Sequence, residues 1–470
     1  MSYVHQNTTS GSALDDLAAV AGVAGWPLAQ VESSTPALAS PFQGEDAAAA
    51  ALAAGASEAA GLWALRTGED QAVAVETREA AASLVSFLFQ RFDDPARAPS
   101  RAAPATAANG FLPTGDGRFV YIHPSFDESV GHLKLLGCAD TPQAVRAALA
   151  RWTAPDLEAA TAEAGLCAAM VRTPQEWDAT DQGRLLAETP IVEITRIGDG
   201  PPVPFSDAPD APLSGIRVLD LTRVLAGPAC ARALASHGAD VLHISGPDLP
   251  SFAPFVSDTG HGKRCAFLDL KTAAGREVLL GLVGQADVFS QGYRSGALER
   301  LGFGAETLAA IRPGLIHVSI NCYGHEGAWA TRPGWEQLAQ TVSGMAHVQG
   351  AAQNGVRGEP ALLPAAVNDY TTGYLAAFGA MVALRRRSVE GGSWRVRVSL
   401  TRTAMWVRGL GLRAGAEVEP FSSDELAAWS IREDGGWGPV TFLRPPVHMA
   451  RTPAAWLRPS VRLGTDEAAW

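Results

Sequence analysis

Cysteine is scarce in this chain. Five occur in 470 residues, widely spaced and without a CxxC pair. That pattern excludes a disulfide framework and a cysteine-based zinc site, and it fits a reducing, cytoplasmic setting. A long hydrophobic run is also missing. The most apolar stretch, 47–65, is mostly alanine and carries Glu58, so it is too weakly hydrophobic to span a membrane. Residues 1–11 are polar and lack the apolar core of a signal peptide. Basic residues are outnumbered, with 37 Lys plus Arg against 49 Asp plus Glu and a net charge of −12. Such a chain is not expected to bind nucleic acid, although it can hold an anionic ligand in a local basic pocket. No GxGxxG or GxxxxGK[ST] loop occurs, which argues against a dinucleotide or nucleoside triphosphate cradle. GxSxG and HExxH are absent as well, and no metal is expected.

What is present is globular. Apolar residues make up 47%, and the length is enough for two or three domains with real cores. The clearest pattern opens at Leu213. Residues 216–221 are mostly apolar and branched and read as a buried strand. Gly227-Pro228 breaks that run, 229–237 has helix-forming composition, and 241–244 is a second short strand. This is a βαβ unit, the seed of a parallel, doubly wound sheet. Further strand-like segments at 265–270, 286–290 and 315–320 extend it. Ligands of such sheets bind at the carboxyl ends of the strands.

Four ordered segments carry a family resemblance. They are Leu219-Asp-Leu-Thr-Arg-Val-Leu-Ala-Gly-Pro228, Gly262-Lys-Arg-Cys-Ala-Phe-Leu-Asp-Leu-Lys271, Ser295-Gly-Ala-Leu-Glu-Arg-Leu-Gly302, and Asn368-Asp369 with Val396-Arg-Val-Ser-Leu400. Together they resemble the class III CoA-transferases, a family that also includes α-methylacyl-CoA racemases. The resemblance implies an α/β fold, with a Rossmann-like sheet domain and a small α/β domain. It also implies acyl-CoA and a carboxylic acid as substrates, and a homodimer. Two features depart from the family pattern. His243-Ile-Ser-Gly-Pro-Asp248 follows the second strand, and no Gly-rich covering loop is evident.

The order of parts is unusual. Residues 213–407 hold the sheet domain, 198–212 are a proline-rich linker, and 408–470 are a C-terminal tail. Residues 110–197 resemble the family's small domain, which normally follows the sheet domain. Thr173 is a candidate helix N-cap within it. Residues 1–40 show little pattern, 45–66 are expected to be helical, and 95–109 form a Pro/Ala/Arg linker. Gly61-Leu-Trp-Ala-Leu-Arg66 with Val73-Ala-Val75 loosely repeats Ala380-Met-Val-Ala-Leu-Arg385 with Val396-Arg-Val398. Residues 1–94 therefore read as a degenerate partial copy of the sheet domain, giving a partly duplicated, permuted-looking order. Two unrelated helix-turn-strand units are the plainer alternative.

Asp369 precedes a long helical stretch over 370–387, where an aspartate is a favoured N-cap. The resemblance places it on the family's catalytic aspartate. The implied chemistry is covalent: its carboxylate attacks an acyl-CoA thioester and forms an acyl-aspartyl intermediate. Glu336, in Pro333-Gly-Trp-Glu-Gln337, is the second candidate, or else a solvated glutamate in a first helical turn. Trp335 before it is transferase-like, whereas a racemase would carry His there as half of an acid/base pair. An acyl-CoA racemase and a catalytically inactive CoA-binding paralogue are the alternatives. For CoA the resemblance implies Arg223, Val224 and Ala226 at the first strand-helix turn. Lys263, Arg264 and Arg300 are candidates for its phosphates, or otherwise surface charges. His325 is left unassigned.

Overall fold

The computed structural model describes residues 9–100, 106–126, 129–206, 209–354, 358–413 and 417–470. The first eight residues of the polar N-terminus, 101–105 of the Pro/Ala/Arg linker and 207–208 of the proline-rich linker lie outside them.

A seven-stranded sheet organises the chain. Its strands are β1 (Glu193–Gly198), β2 (Arg217–Leu221), β3 (Asp240–Ser245), β4 (Lys263–Phe267), β5 (Val288–Gln291), β6 (Ile316–Asn321) and β7 (Ser393–Ser399). The order across the sheet is β4-β3-β2-β5-β6-β7-β1. All pairs are parallel except β7 with β1. Val218 pairs with Val241 on one side and Val288 on the other. Such strands are covered on both faces, which is why they read as near-continuous apolar runs rather than alternations. The order reverses between β2 and β5, so the crevice at their carboxyl ends is the ligand-binding switch point of a doubly wound sheet.

Four helices matter for the site: α1 (Gly44–Thr67), α2 (Ala226–Ser236), α3 (Glu336–Val342) and α4 (Val367–Glu390). Helix α4 lies between α1 and α2. Gly373 permits its close crossing of α2, since a Cβ there would meet the Ala226 carbonyl oxygen at 2.5 Å. Helix α1 is the one helix among the described residues long and apolar enough to cross a membrane, and 72% of its most apolar window is buried inside the protein. Its alanines pack on α4, and the buried Glu58 is bound by Arg385 at 2.9 Å.

A second core fills the segment before the proline-rich linker. Gly110–Pro113, Phe119–Ile122 and Ala168–Met170 form an antiparallel sheet. Val120, Ile122, Val145, Leu149 and Leu157 pack there. Two helices, Pro142–Leu149 and Ala154–Glu163, cover this sheet. Thr153 accepts a hydrogen bond from the Asp156 N–H and, with Pro155 behind it, starts the second. Thr173 caps Pro174–Asp178 in a full capping box.

The ends of the chain hold more structure than their sequences advertise. A helix covers Thr9–Ala21, and Ala29–Glu32 pairs with Val73–Glu76. His448–Met449, from the tail, adds to the same small sheet. The tail also forms the hairpin Ser430–Gly435 and Gly438–Leu443, whose second strand pairs with Arg91–Phe92. The loosely repeated segments share one order: α1, Val73–Glu76 and Thr77–Ser83 on one side, and α4, β7 and Leu400–Gly409 on the other.

Candidate active site

Asp369 does not cap its helix. Helix α4 begins at Val367 with Ala366 at the N-cap, so the N-cap expectation fails by three residues and Asp369 lies in the first turn. The cause is tertiary. The Ala366 N–H donates to the Leu84 carbonyl, and Val367 packs on Gly44, which together start the helix early. A first-turn position still places the carboxyl near the positive end of the helix dipole.

Glu336 is the first residue of α3 and is buried, not solvated. Its Oε1 accepts from Gln340 Nε2 at 2.7 Å and from the Asn368 backbone N–H at 3.1 Å. Gln340 is oriented in turn by the Leu363 N–H, which donates to its Oε1 at 2.9 Å. The other carboxyl oxygen of Glu336, Oε2, is buried without a hydrogen-bond partner. Burial pushes Glu336 up to about 7, against the Gln340 amide and the Asn368 and Asp369 N–H groups that favour its charged form. Burial, and then the neighbouring Glu336, push Asp369 well above the ordinary carboxylate range. A charge on either carboxyl raises the cost of charging the other.

Both carboxyls face a cavity of about 640 Å³. Its walls come from distant parts of the chain: Val85, Phe87 and Leu88; the 121–126 loop of the small sheet; Phe252 and Phe255; and 362–366. The 121–126 loop is docked on Trp335. The His123 ring stacks on the Trp335 indole with centroids 5.2 Å apart, and Trp335 Nε1 donates to Ser125 Oγ at 2.8 Å. His123 Nδ1 accepts from the Ser125 N–H, and burial lowers the ring to about 4, so it is neutral.

A narrower cleft adjoins this cavity and shares Phe126, Val224, Phe252 and Phe255 with it. It follows the turn after β2, at the switch point. Val224 adopts φ +72°, the left-handed region that a β-branched residue rarely enters. The Arg223 guanidinium lies over the Phe126 ring at 5.2 Å and donates to the Pro250 carbonyl. Ala226 starts α2 immediately behind this turn.

The basic candidates scatter. Lys263 reaches the floor of the narrow cleft but is only 2% exposed. Its ammonium donates to Asp220 Oδ2 at 3.0 Å and to the Pro228 carbonyl. Burial opposes charge on Asp220, yet Lys263, His243 and Thr222 together hold it well below the usual carboxylate range. His243, one of the departures from the family pattern, is thus a partner of this buried cluster. Arg264 donates to Asp240 and to the Ala469 carbonyl, outside both clefts. Arg300 is exposed on a short 3-10 turn and lines neither cleft. His325 Nε2 bonds the Val398 carbonyl in a separate pocket. Among the described residues no group of acidic, His and Cys side chains is placed to hold a metal.

Sequence reasoning missed the small-sheet and N-terminal walls. No local signal in 119–126 says that this segment walls the same cavity as Asp369.

Residues 213–417 match CoA-transferase family III. An acyl-CoA transferase of Gibberella moniliformis is 36% identical over 260 residues, covering 53% of this chain and 46% of that protein. A formyl-CoA:oxalate CoA-transferase of Escherichia coli is 33% identical over 201 residues, covering 40% and 47%. The chain therefore spans about half the length of the curated relatives it matches. A crystal structure of a CaiB/BaiF family protein from Brucella suis is 27% identical, with a TM-score of 0.38, over 49% of this chain and 65% of that one.

Proposed function

We propose that this chain transfers CoA from an acyl-CoA donor to a carboxylic acid through a covalent intermediate on Asp369. One observation carries the reading: Asp369 sits in the first turn of α4, on the wall of a large cavity, beside a second buried carboxyl with an unpartnered oxygen. The ionised Asp369 attacks the thioester carbonyl, and CoA thiolate leaves, giving a mixed anhydride. The thiolate then attacks the aspartyl carbonyl, which releases the donor acid and leaves an aspartyl-CoA thioester. The acceptor carboxylate attacks that thioester, and CoA returns to the acceptor's carbonyl, freeing Asp369. Splitting the transfer in this way is the ordinary use of a carboxylate nucleophile. No net proton is consumed. The neighbouring Glu336 raises the cost of the Asp369 carboxylate, and the first turn of α4 favours it.

The narrow cleft along 222–224 is where the CoA handle lies in this reading. Arg223 and Val224 meet it, with Ala226 behind them, and Lys263 acts through Asp220 to hold the turn. Arg300 has the exposure that a phosphate contact needs, and Arg264 is the remaining candidate. The shared order of the α1 and α4 segments supports an ancestral duplication, with 1–94 as the reduced copy and 110–197 as the small domain. A homodimer and a cytoplasmic setting complete the proposal. Sedimentation mass and cell fractionation test them.

The decisive experiment is trapping. The protein is incubated with acyl-CoA and hydroxylamine, and peptides are mapped by mass. An Asp369 hydroxamate that requires acyl-CoA supports the mechanism. An active preparation without it overturns the covalent route.

A further inference from the structure

The cavity at Asp369 also constrains what is transferred. We infer that the acyl group is an apolar monocarboxylic one, a medium-length or aryl-substituted chain, rather than a dicarboxylic group. The inference rests on the transfer reading above and deepens it.

The wall that a bound acyl chain would meet is apolar. Val85, Phe87 and Leu88 form one side, and Leu362 and Leu363, just before α4, form another. Phe255 packs edge-on against Phe87, with centroids 4.9 Å apart, so the aromatic side is preformed. Such a surface stabilises an apolar chain by removing it from water, in proportion to the area covered.

The charge inventory points the same way. Among the described residues that line the cavity, none is Lys or Arg. Its ionisable groups are Asp369, Glu336, Tyr121 and His123. His123 is neutral, for the reasons given above. The Tyr121 hydroxyl is an uncharged donor at neutral pH, since burial pushes it up to about 12. Arg223 lines the adjoining cleft and is engaged by Phe126 and Pro250. A second carboxylate on the acyl chain would therefore enter a half-open, largely apolar space beside the two carboxyls. No Lys or Arg of the lining would pair with it, and a charge that loses water without gaining a partner is disfavoured.

The test uses the full chain and four donors: butyryl-, hexanoyl-, phenylacetyl- and succinyl-CoA. Asp369 adducts and kcat/KM are measured for each. Each methylene from butyryl to hexanoyl is expected to raise kcat/KM about fourfold, as burial of one CH2 implies. Succinyl-CoA is expected to fall on the order of a hundredfold below hexanoyl-CoA. Equal or better use of succinyl-CoA overturns the inference while leaving transfer intact. Adducts with none of the donors overturn the transfer reading itself. Binding separates the two further. On Asp369→Asn, which cannot turn over, calorimetry should show hexanoyl-CoA tighter than CoA and succinyl-CoA no tighter than CoA. The reverse order sinks the inference whatever the activity. Leu88→Arg supplies a cation at a position 50% exposed, where folding is not at stake. It should raise the succinyl-to-hexanoyl ratio by about tenfold, and an unchanged ratio would place the acyl group elsewhere.

Discussion

Glu336 Oε1 accepts the Asn368 backbone N–H at 3.1 Å, which ties the first residue of α3 to the first turn of α4. Two carboxyls more than thirty residues apart in sequence are held in one apolar site by this contact and by Gln340. Neither can be charged without raising the cost of charging the other.

Asp369→Asn should abolish transfer while sparing the fold. The covalent route closes, so kcat falls by at least about a thousandfold. Stability should hold or rise, because a buried carboxyl that repels Glu336 is gone. Thermal unfolding and steady-state rates measured on one preparation check both. A variant that keeps full activity would move attention to Glu336.

Glu336 makes stability depend on pH with a definite sign. Its folded value of about 7 lies above the ordinary 4.5, so the fold prefers the protonated form. That contribution is complete below about pH 4.5 and is lost as pH rises through about 7. The span corresponds to on the order of 3 kcal/mol. Glu336→Gln lacks the titration, so its stability relative to the parent should climb between pH 5 and pH 8. Urea midpoints across that range decide it, and a pH-independent difference would refute the assignment.

The same substitution should move the rate profile. Activity should rise with pH as the pair loses its first proton. In Glu336→Gln the like-charged neighbour is absent, so Asp369 ionises more readily and the midpoint of kcat/KM shifts to lower pH. A shift upward would contradict the repulsion between the two carboxyls.

Arg223→Ala should weaken CoA binding more than it slows the bound reaction, since Arg223 lines the handle's cleft and not the cavity at Asp369. Calorimetry with CoA and a separate kcat measurement test this. The same is expected of Arg300→Ala, and unchanged affinity in both variants would show that the handle lies elsewhere.

Gly373→Ala should loosen α4 from α2. The added Cβ meets the Ala226 carbonyl at 2.5 Å and the Ala229 Cβ at 2.8 Å, both parts of a packed helix. Overpacking of this kind costs about 1–3 kcal/mol. A chemical denaturation midpoint equal to the parent's would show that the helices can part freely.

The sheet was legible in the sequence because its strands are buried on both faces and run apolar without help from distant residues. The strand at 216–221, most of the helix that follows it and the candidates Asp369 and Glu336 came from local pattern or motif, although that helix starts at Ala226 and takes in Gly227-Pro228. Their surroundings did not. The start of α4 moved to Val367 because Leu84 and Gly44, from the far end of the chain, hold it there. Lys263 read as a candidate for the CoA phosphates or else a surface charge, yet the fold turned it toward Asp220 in the sheet's interior. The neutral His123, the Trp335–Ser125 clamp and the apolar wall of Val85 and Phe87 exist only where four separated segments converge. Short apolar segments such as these look alike in sequence whether they fill a core or line a cavity, because their composition records burial and not the neighbour that buries them.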